Sequence, residues 1–443
     1  MLGEFWKMLL DANTQWVLIG TLLLGLASGV LGSFALLRKQ SLLGDAMAHA
    51  ALPGICIAYL FTGTKSISWF LIGAAIAGLV ATYFIQSIIK HSRLKEDSSI
   101  GLVLSVFFGI GIVLLTYINQ QAAGNQSGLN DFIFGQAASL VGTDVKVISG
   151  VALVLLILTT LLFKEFKIIT FDHQFAKGIG MPTTLLNGLL MTLIVGAVVI
   201  GLQAVGVILM AAMLITPAIS ARYWTERLDH MVIIAGAIGA FSGILGTLLS
   251  TTKSGMPTGP LIIMAATIIF LFSMIFAPQR GLLMKALKQR KMRKVIARES
   301  VLQTLFDFIE ERIAHGEPIE KSGFDEKKIA ERRAIRSSFI HSTLHSLKNE
   351  GLVEEAEAQK WRLTAKGMVK AHDITLKNRL MEVYLMNEMK YAQFNISQDQ
   401  ESDIHQLPPN IIEELKGLLA LYGRKPMEIS QINMYQQRGL MAK

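Results

Sequence analysis

The sequence predicts an all-α polytopic membrane protein of about eight or nine transmembrane helices, followed by a soluble α+β domain with the element order of a winged helix. Three observations predict this. The 443-residue chain is 52% hydrophobic, with a mean hydropathy of +0.47, too apolar for a soluble protein of its length. The excess is uneven: bilayer-length apolar runs follow one another from Met1 to about Pro278, and from Gln279 onward Lys, Arg, Glu and His take over. Basic residues also fall on alternate connections between the runs, as a membrane protein of fixed orientation requires. The domains so predicted are a transmembrane domain over 1–280, a basic cytoplasmic linker over 281–298, a winged-helix-like domain over 299–367 and a helical remainder over 368–443.

The N-terminal "MLGEFWKMLLDANTQW" has neither a positive n-region nor a small-residue cleavage site, and reads as an interfacial segment anchored by Trp6 and Trp16. A hydrocarbon core of about 30 Å needs about 20 apolar helical residues. The spans predicted on that scale are 17–37, 42–62, 67–89, 99–118, 147–163, 183–202, 204–221, 231–250 and 259–277. Leu185 to Ala221 is too long for one span, and "GLQAVG" at 201–206 splits it. Arg38 and Lys39, "KHSRLKED" (90–97), "KEFK" (164–167) with Lys177, Arg222 and Arg227, and "RGLLMKALKQRKMRK" (280–294) share one side. The other side carries only Lys65, Lys146 and Lys253, so the basic connections and the C-terminal domain are expected in the cytoplasm. Nine crossings would leave the N-terminus outside; eight would follow if one stretch is a half-span. The lone cysteine, Cys56, excludes a disulfide framework and a cysteine-based zinc motif.

Within the second span, "GDAMAHAALPG" (44–54) places Asp45 and His49 one helical turn apart, on one face. An Asp at mid-span costs about 2.5–3.5 kcal/mol on insertion scales, so such a residue turns toward protein or a water-filled path. Carboxylate oxygen with imidazole nitrogen suits a first-row divalent ion. Gly44, Ala46, Ala48, Ala50 and Ala51 let another backbone approach, and Pro53 with Gly54 is expected to break the helix just beyond the pair. The competing reading is that Asp45 caps the helix and His49 bonds a nearby carbonyl. Two ligands are also too few for a complete site; a second copy of the helix would supply four.

"LRKQSLLGDAMAHAALPGICIAYLF" (37–61) resembles the second span of metal-ion ABC-transporter permeases of the zinc, manganese and iron class. "KEDSSIGLVLSVFFGIGIVLL" (95–115), "LNDFIFGQAASL" (129–140), "FDHQFAKGIGM" (171–181) and "VGVILMAAMLITPAISARYW" (205–224) resemble later stretches of the same family. The resemblance implies a multi-pass protein of the bacterial cytoplasmic membrane that pairs with a second permease, an ABC ATPase and an extracytoplasmic metal-binding protein. It implies that Asp45 and His49 line the path, with manganese, zinc or iron as cargo and no permanently bound cofactor. The chain has no G-x-x-x-x-G-K-[ST] phosphate loop, so it is not expected to be an enzyme, and ATP hydrolysis is expected on a partner. "FDHQFAKGIGM" reads as a short helix in a cytoplasmic connection, with Phe171, Asp172, Phe175, Gly178 and Gly180 as candidate ATPase contacts. The alternative is an ordinary loop, with His173 on its surface.

From Ala297 the pattern is that of a soluble helical domain. "ESVLQTLFDFIEERI" (299–313) has helical apolar spacing, "RRAIRSSFIHSTLHSLKNEGLV" (332–353) is a second, basic helix, and "LVEEAEAQKWRLTAKG" (352–367) is a hairpin. A winged helix-turn-helix has this order, which makes Arg332, Arg333, Arg336, Ser337, Ser338 and His341 candidate DNA-facing residues. A basic face docking on anionic lipid or on the transporter fits equally. "LKNEGLVEE" and "RLTAKGMVKAHDITLKNRLMEVYL" resemble the wing and linker of diphtheria-toxin-repressor-type iron- and manganese-dependent regulators. That resemblance implies a helical dimerisation region over 368–443 and places Glu382, Glu401 and His405 at ligand positions. Asn378 and Ile404 replace an expected His and Glu, and Ser300 and Gln303 replace an acid pair, so a degraded or rewired metal site is expected. The acidic wing "VEEAEAQK" should weaken DNA binding. A membrane-anchored, metal-responsive DNA-binding regulator and a proton-coupled secondary transporter are the competing functions; no inverted repeat supports the latter.

Overall fold

The structure is a computed structural model that describes residues 12–40, 42–63, 67–121, 142–252, 256–316, 323–333, 337–357, 359–387, 389–391, 407–432 and 434. The connection at 129–140 and most of the N-terminal segment lie outside the described residues. The chain divides into two compact units, with the break between Lys285 and Ala286.

The first unit is helical. Its elements are α1 (Ala12–Leu37), α2 (Leu43–Thr62), α3 (Ile67–His91), α4 (Glu96–Gln121), α5 (Gly142–Leu161), α6 (Phe163–Phe171), α7 (His173–Gly178), α8 (Thr183–Val205), α9 (Val207–Trp224), α10 (Leu228–Thr251) and α11 (Thr258–Phe276). Among the described residues, eight helices are long and apolar enough to cross a bilayer: α1 to α5, α8, α10 and α11. The remaining predicted stretch is α9, 18 residues long, which follows α8 after a break at Gly206. Gly206 has φ of +93°, a conformation few side chains tolerate, so the long apolar stretch turns there.

Small residues set how closely these helices approach. Thr21, Gly25 and Gly29 of α1 face Gly243, Gly239 and Ala235 of α10, at four-residue spacing on both helices. A Cβ built on Gly25 would stand 2.2 Å from the Gly239 carbonyl oxygen, and one on Gly29 would stand 2.2 Å from that of Ala235. Thr21 and Thr247 hydrogen-bond across the same seam at 3.0 Å. Gly54 of α2 and Gly73 of α3 make an equivalent contact, with 2.1 Å from the Gly54 Cβ position to the Gly73 oxygen. Around these seams pack Leu24, Phe34, Met47, Ile194, Val198, Met210 and Leu214.

The second unit contains α12 (Leu282–Ala314) from Ala286 onward, β1 (Phe324–Asp325), α13 (Glu326–Arg333), α14 (Ser337–Asn349), β2 (Val353–Glu357), β3 (Lys360–Leu363), α15 (Ala365–Met386) and α16 (Pro409–Leu421). The strands form one antiparallel sheet in the order β1-β3-β2, with Phe324 opposite Trp361 and Val353 opposite Leu363. Trp361 is buried among Leu305, Phe306, Ile340, Leu344 and Leu347, which join helices to sheet. Thr364 caps α15 by accepting from the Gly367 N–H at 3.0 Å. A smaller core joins α15 to α16 through Leu380, Val383, Tyr384, Ile411, Leu415 and Leu419.

The structure corrects three expectations. Pro53 and Gly54 do not break α2, which continues to Thr62, because a membrane helix tolerates one missing hydrogen bond. The basic stretch at 281–298 is not a linker apart from the first helix of the domain: α12 runs unbroken from Leu282, since Leu282 to Ala314 contains no Gly or Pro. The predicted basic helix at 332–353 falls on two elements: Arg332 and Arg333 belong to α13, a short helix the sequence reading missed, and α14 covers Ser337–Asn349, with 334–336 outside the described residues.

The α1–α10 seam predicts a sharp contrast in stability. Gly25→Leu drives a side chain into main chain, and overpacking of this kind costs about 1–3 kcal/mol or more. Gly109→Ala in α4 meets nothing within 4 Å and should be neutral. Size-exclusion profile and thermal unfolding of the two purified variants check this; an unperturbed Gly25→Leu protein would refute the seam.

Candidate functional site

From Leu43 to Cys56 every residue of α2 is buried except Asp45 and His49. Their side chains lie on one face, His49 Nε2 standing 3.5 Å from Asp45 Oδ1 with the two side chains 20% and 38% exposed. Phe108 of α4 meets the His49 ring edge-on, with centroids 4.8 Å apart and an interplanar angle of 78°. The buried His49 Nδ1 has no hydrogen-bond partner among the described residues. No side chain caps the helix at Leu42. Asp45 thus sits in the first turn of α2, where an acid suits a helix N-terminus, while the buried His49 Nδ1 bonds no carbonyl among the described residues.

The neighbouring helices hold this face in place. Gly111 of α4 seats against Leu52 and Pro53, where a Cβ would approach to 2.9–3.0 Å. Thr82 of α3 donates to the Met47 sulfur at 3.2 Å. Pro53 has no N–H, so the carbonyl four residues earlier, that of His49, lacks its helical donor. One carboxylate, one imidazole and one under-bonded carbonyl thus belong to a single turn. Sequence spacing identified the first two. The third was also readable, from the proline four residues after the histidine. Phe108 was not, being 59 positions from His49 along the chain. No group of three metal-ligating side chains occurs among the described residues, so one copy of this face offers half a coordination shell.

The second candidate region is the α6–α7 corner. Asp172 caps α7 by accepting from the Phe175 N–H at 2.8 Å. Ala176 is buried, while Phe171, Phe175 and Ile179, four residues apart, are 61%, 56% and 54% exposed. Gly178 has open space around it, as does Gly180, whose φ is +81°. His173 is exposed. The corner is tied to the unit by Phe166, which packs edge-on against Phe34 of α1 at 6.0 Å. An apolar, aromatic face on a well-anchored turn is suited to a protein groove.

In the second unit one of the three candidate ligands is described. Glu382 pairs with Arg424 at 3.1 Å, and Glu401 and His405 lie outside the described residues. Where the resemblance led to metal ligands, Asn378 of α15 donates to Gln303 of α12 at 3.0 Å. Beside it Arg379 bonds Glu310 and, at 3.1 Å, Asp307; Glu310 also accepts from the Met427 N–H at 2.7 Å. Burial pushes the Asp307 carboxyl above its usual range, against the pull of Arg379. Burial also opposes the Arg379 charge, but the Glu310 and Asp307 contacts outweigh it and raise its pKa. Of the candidate DNA-facing residues, Arg332 bonds Glu311, and Arg333 bonds Thr304 at 2.9 Å and faces Asp307 at 3.6 Å. His341 meets Glu326; Arg336 and the side chains of Ser337 and Ser338 lie outside the described residues. The acids of the β2–β3 hairpin are paired, Glu354 with Arg362 and Glu357 with Lys360 within it, and Glu355 with Lys348 of α14.

The profile of the ABC 3 transport family matches residues 11–277. The manganese transport system membrane protein MntC of Bacillus subtilis (strain 168) is 56% identical over 429 residues, covering 96% of each chain. The zinc transport system membrane protein TroC of Treponema pallidum (strain Nichols) is 44% identical over 281 residues, 63% of this chain and 94% of its own. Among solved structures, PsaBC from Streptococcus pneumoniae in complex with Fab matches with a TM-score of 0.57 at 34% identity, over 66% of this chain and all of that one.

The Arg379 network generates a prediction for the second unit. Arg379→Ala leaves Glu310 without its cation, and Asp307 with only Arg333 at 3.6 Å, in a partly buried site and should cost about 3 kcal/mol. Chemical denaturation of the fragment from Ala297 to Lys443 measures it. A loss below 1 kcal/mol would show that the network contributes little.

Proposed function

The chain belongs to the ABC 3 transport family, and on that premise we propose that it is the permease of an ATP-binding-cassette importer for a divalent transition metal, manganese, zinc or iron. The observation that carries the reading is the Asp45–His49 face, the sole opening in the otherwise buried first part of α2. Manganese and zinc lead because the relatives named for a metal carry those two.

The chemistry follows from desolvation. A divalent ion entering an apolar wall loses water that low-dielectric surroundings do not replace. One carboxylate offsets half its charge. A second permease copy, facing the first, supplies another Asp45 and His49, and the two carboxylates then match the ion's charge. Mixed oxygen and nitrogen donors accept manganese, iron(II) and zinc alike, so selection falls to the extracytoplasmic binding protein that delivers the ion. The Asp45–His49 contact opens to admit the ion, and the His49 carbonyl freed by Pro53 lies on the same turn as a further oxygen.

Energy comes from a separate ABC ATPase that receives the α6–α7 corner, with Phe171, Phe175 and Ile179 entering its groove and Asp172, Gly178 and Gly180 shaping the turn. This corner and the C-terminus face the cytoplasm of a bacterium, with the spans in its cytoplasmic membrane, a reading supported by the basic residues on alternate connections. The second unit is a winged-helix-like domain that pairs two permease tails rather than reading DNA. Support for this comes from Arg332, Arg333, Lys348 and Arg362, which are bound to carboxylates of their own unit.

Three outcomes test the scheme. Asp45→Ala with His49→Ala should abolish manganese and zinc accumulation in cells while the protein inserts normally; unchanged radiotracer uptake would end the path assignment. Phe175→Ala, at an exposed position, should leave the fold intact and lower transport-coupled ATP hydrolysis severalfold in reconstituted vesicles, and full coupling would move the contact elsewhere. The fragment from Ala297 to Lys443 should be dimeric by light scattering yet bind duplex DNA weakly in fluorescence anisotropy, with or without manganese. Tight, salt-sensitive, sequence-selective binding would instead favour a regulator.

A further inference from the structure

The two histidines of α14, His341 and His345, are four residues apart on an exposed helix face, with ring centroids 4.5 Å apart at 67°. Each ring is held by a neighbour on a different element. His341 Nδ1 lies 3.2 Å from Glu326 Oε2, the carboxylate that opens α13, whose side chain is only 13% exposed. His345 packs edge-on against Trp361 of β3, at 5.3 Å and 82°, and Trp361 is anchored in the core. A carboxylate on Nδ1 fixes the proton there and leaves the Nε2 lone pair of His341 directed away, toward solvent. Two imidazoles at i and i+4 on one helix face can bind a single ion, the arrangement that H-E-x-x-H helices use for zinc. Glu355 on β2, held by Lys348 at 3.0 Å, adds a second carboxylate near His345.

We propose that His341 and His345 form a surface chelate for a borderline divalent ion of the zinc, nickel or copper(II) class, with Glu326 orienting His341 and water completing the shell. Two neutral nitrogen donors favour these ions over manganese, which prefers oxygen. With two protein donors and the rest solvent, the ion exchanges readily, so the site fills when cytoplasmic metal is plentiful and empties when it is scarce. The site is independent of the transport path, sharing no residue with it.

The test uses the purified full-length chain in detergent carrying D45A and H49A, which removes the path residues, and zinc in competition with a chromophoric chelator. One zinc equivalent should remain, and adding H341A and H345A should abolish it. E326Q should weaken it about tenfold, the usual scale for an outer-shell partner of a metal-bound histidine. Copper(II) added to the same protein should give an electron paramagnetic resonance spectrum with two nitrogen couplings that H341A and H345A remove. Because both histidines are exposed, the double variant should keep its circular dichroism and thermal midpoint. Zinc stoichiometry unchanged by H341A and H345A would overturn the proposal, as would no zinc equivalent in the D45A and H49A protein.

Discussion

Backbone contact between α1 and α10 is the constraint on which the membrane unit depends. Lipid tails are as apolar as leucine, so helices within a bilayer gain little from burying one another's side chains and rely on close packing instead. Thr21, Gly25 and Gly29 bring α1 against Ala235, Gly239 and Gly243 at distances no larger residue allows. Gly54 and Gly73 repeat the arrangement between α2 and α3, and Gly111 adds α4 to the group. The position of α2, and hence of Asp45 and His49, is inherited from these glycines. A seam of small residues holds the spans with few directional bonds, which leaves polar groups free for work elsewhere.

At the Asp45–His49 face the same wall is deliberately incomplete. Over residues 43–56 the helix is buried apart from an acid and an imidazole, which share a turn with the carbonyl released by Pro53. Such a face is costly for a lone copy and becomes favourable only when a cation or a matching face meets it. The second unit solves the opposite problem. There Arg379 is matched by Asp307 and Glu310, and the hairpin acids by Lys348, Lys360 and Arg362.

Much of this was legible in the chain, and the failures have physical causes. The spans followed from apolar length, the break at Gly206 from a glycine that permits positive φ, and the Asp45–His49 pairing from a four-residue period. Pro53 misled because the usual penalty for an interior proline assumes a helix with no neighbours to support it. The start of α12 misled because a run of cations changes composition without breaking a helix. Helix α13 went unseen, as Ile329 and Ala330 are its only buried residues, too few to show a period. Arg332 and Arg333 looked like a DNA-facing surface because sequence records a charge but not its partner. Glu311 and Asp307 lie more than twenty positions earlier, on another helix. The Gln303–Asn378 bond was within reach, since both positions stood out as departures, yet only the fold shows them meeting.

The exposed Phe171, Phe175 and Ile179 carry a consequence of their own. Three large apolar side chains within nine residues are a patch that favours being covered. On the proposed reading a partner's groove covers it, and the contact then gains from removing apolar surface from water as well as from shape.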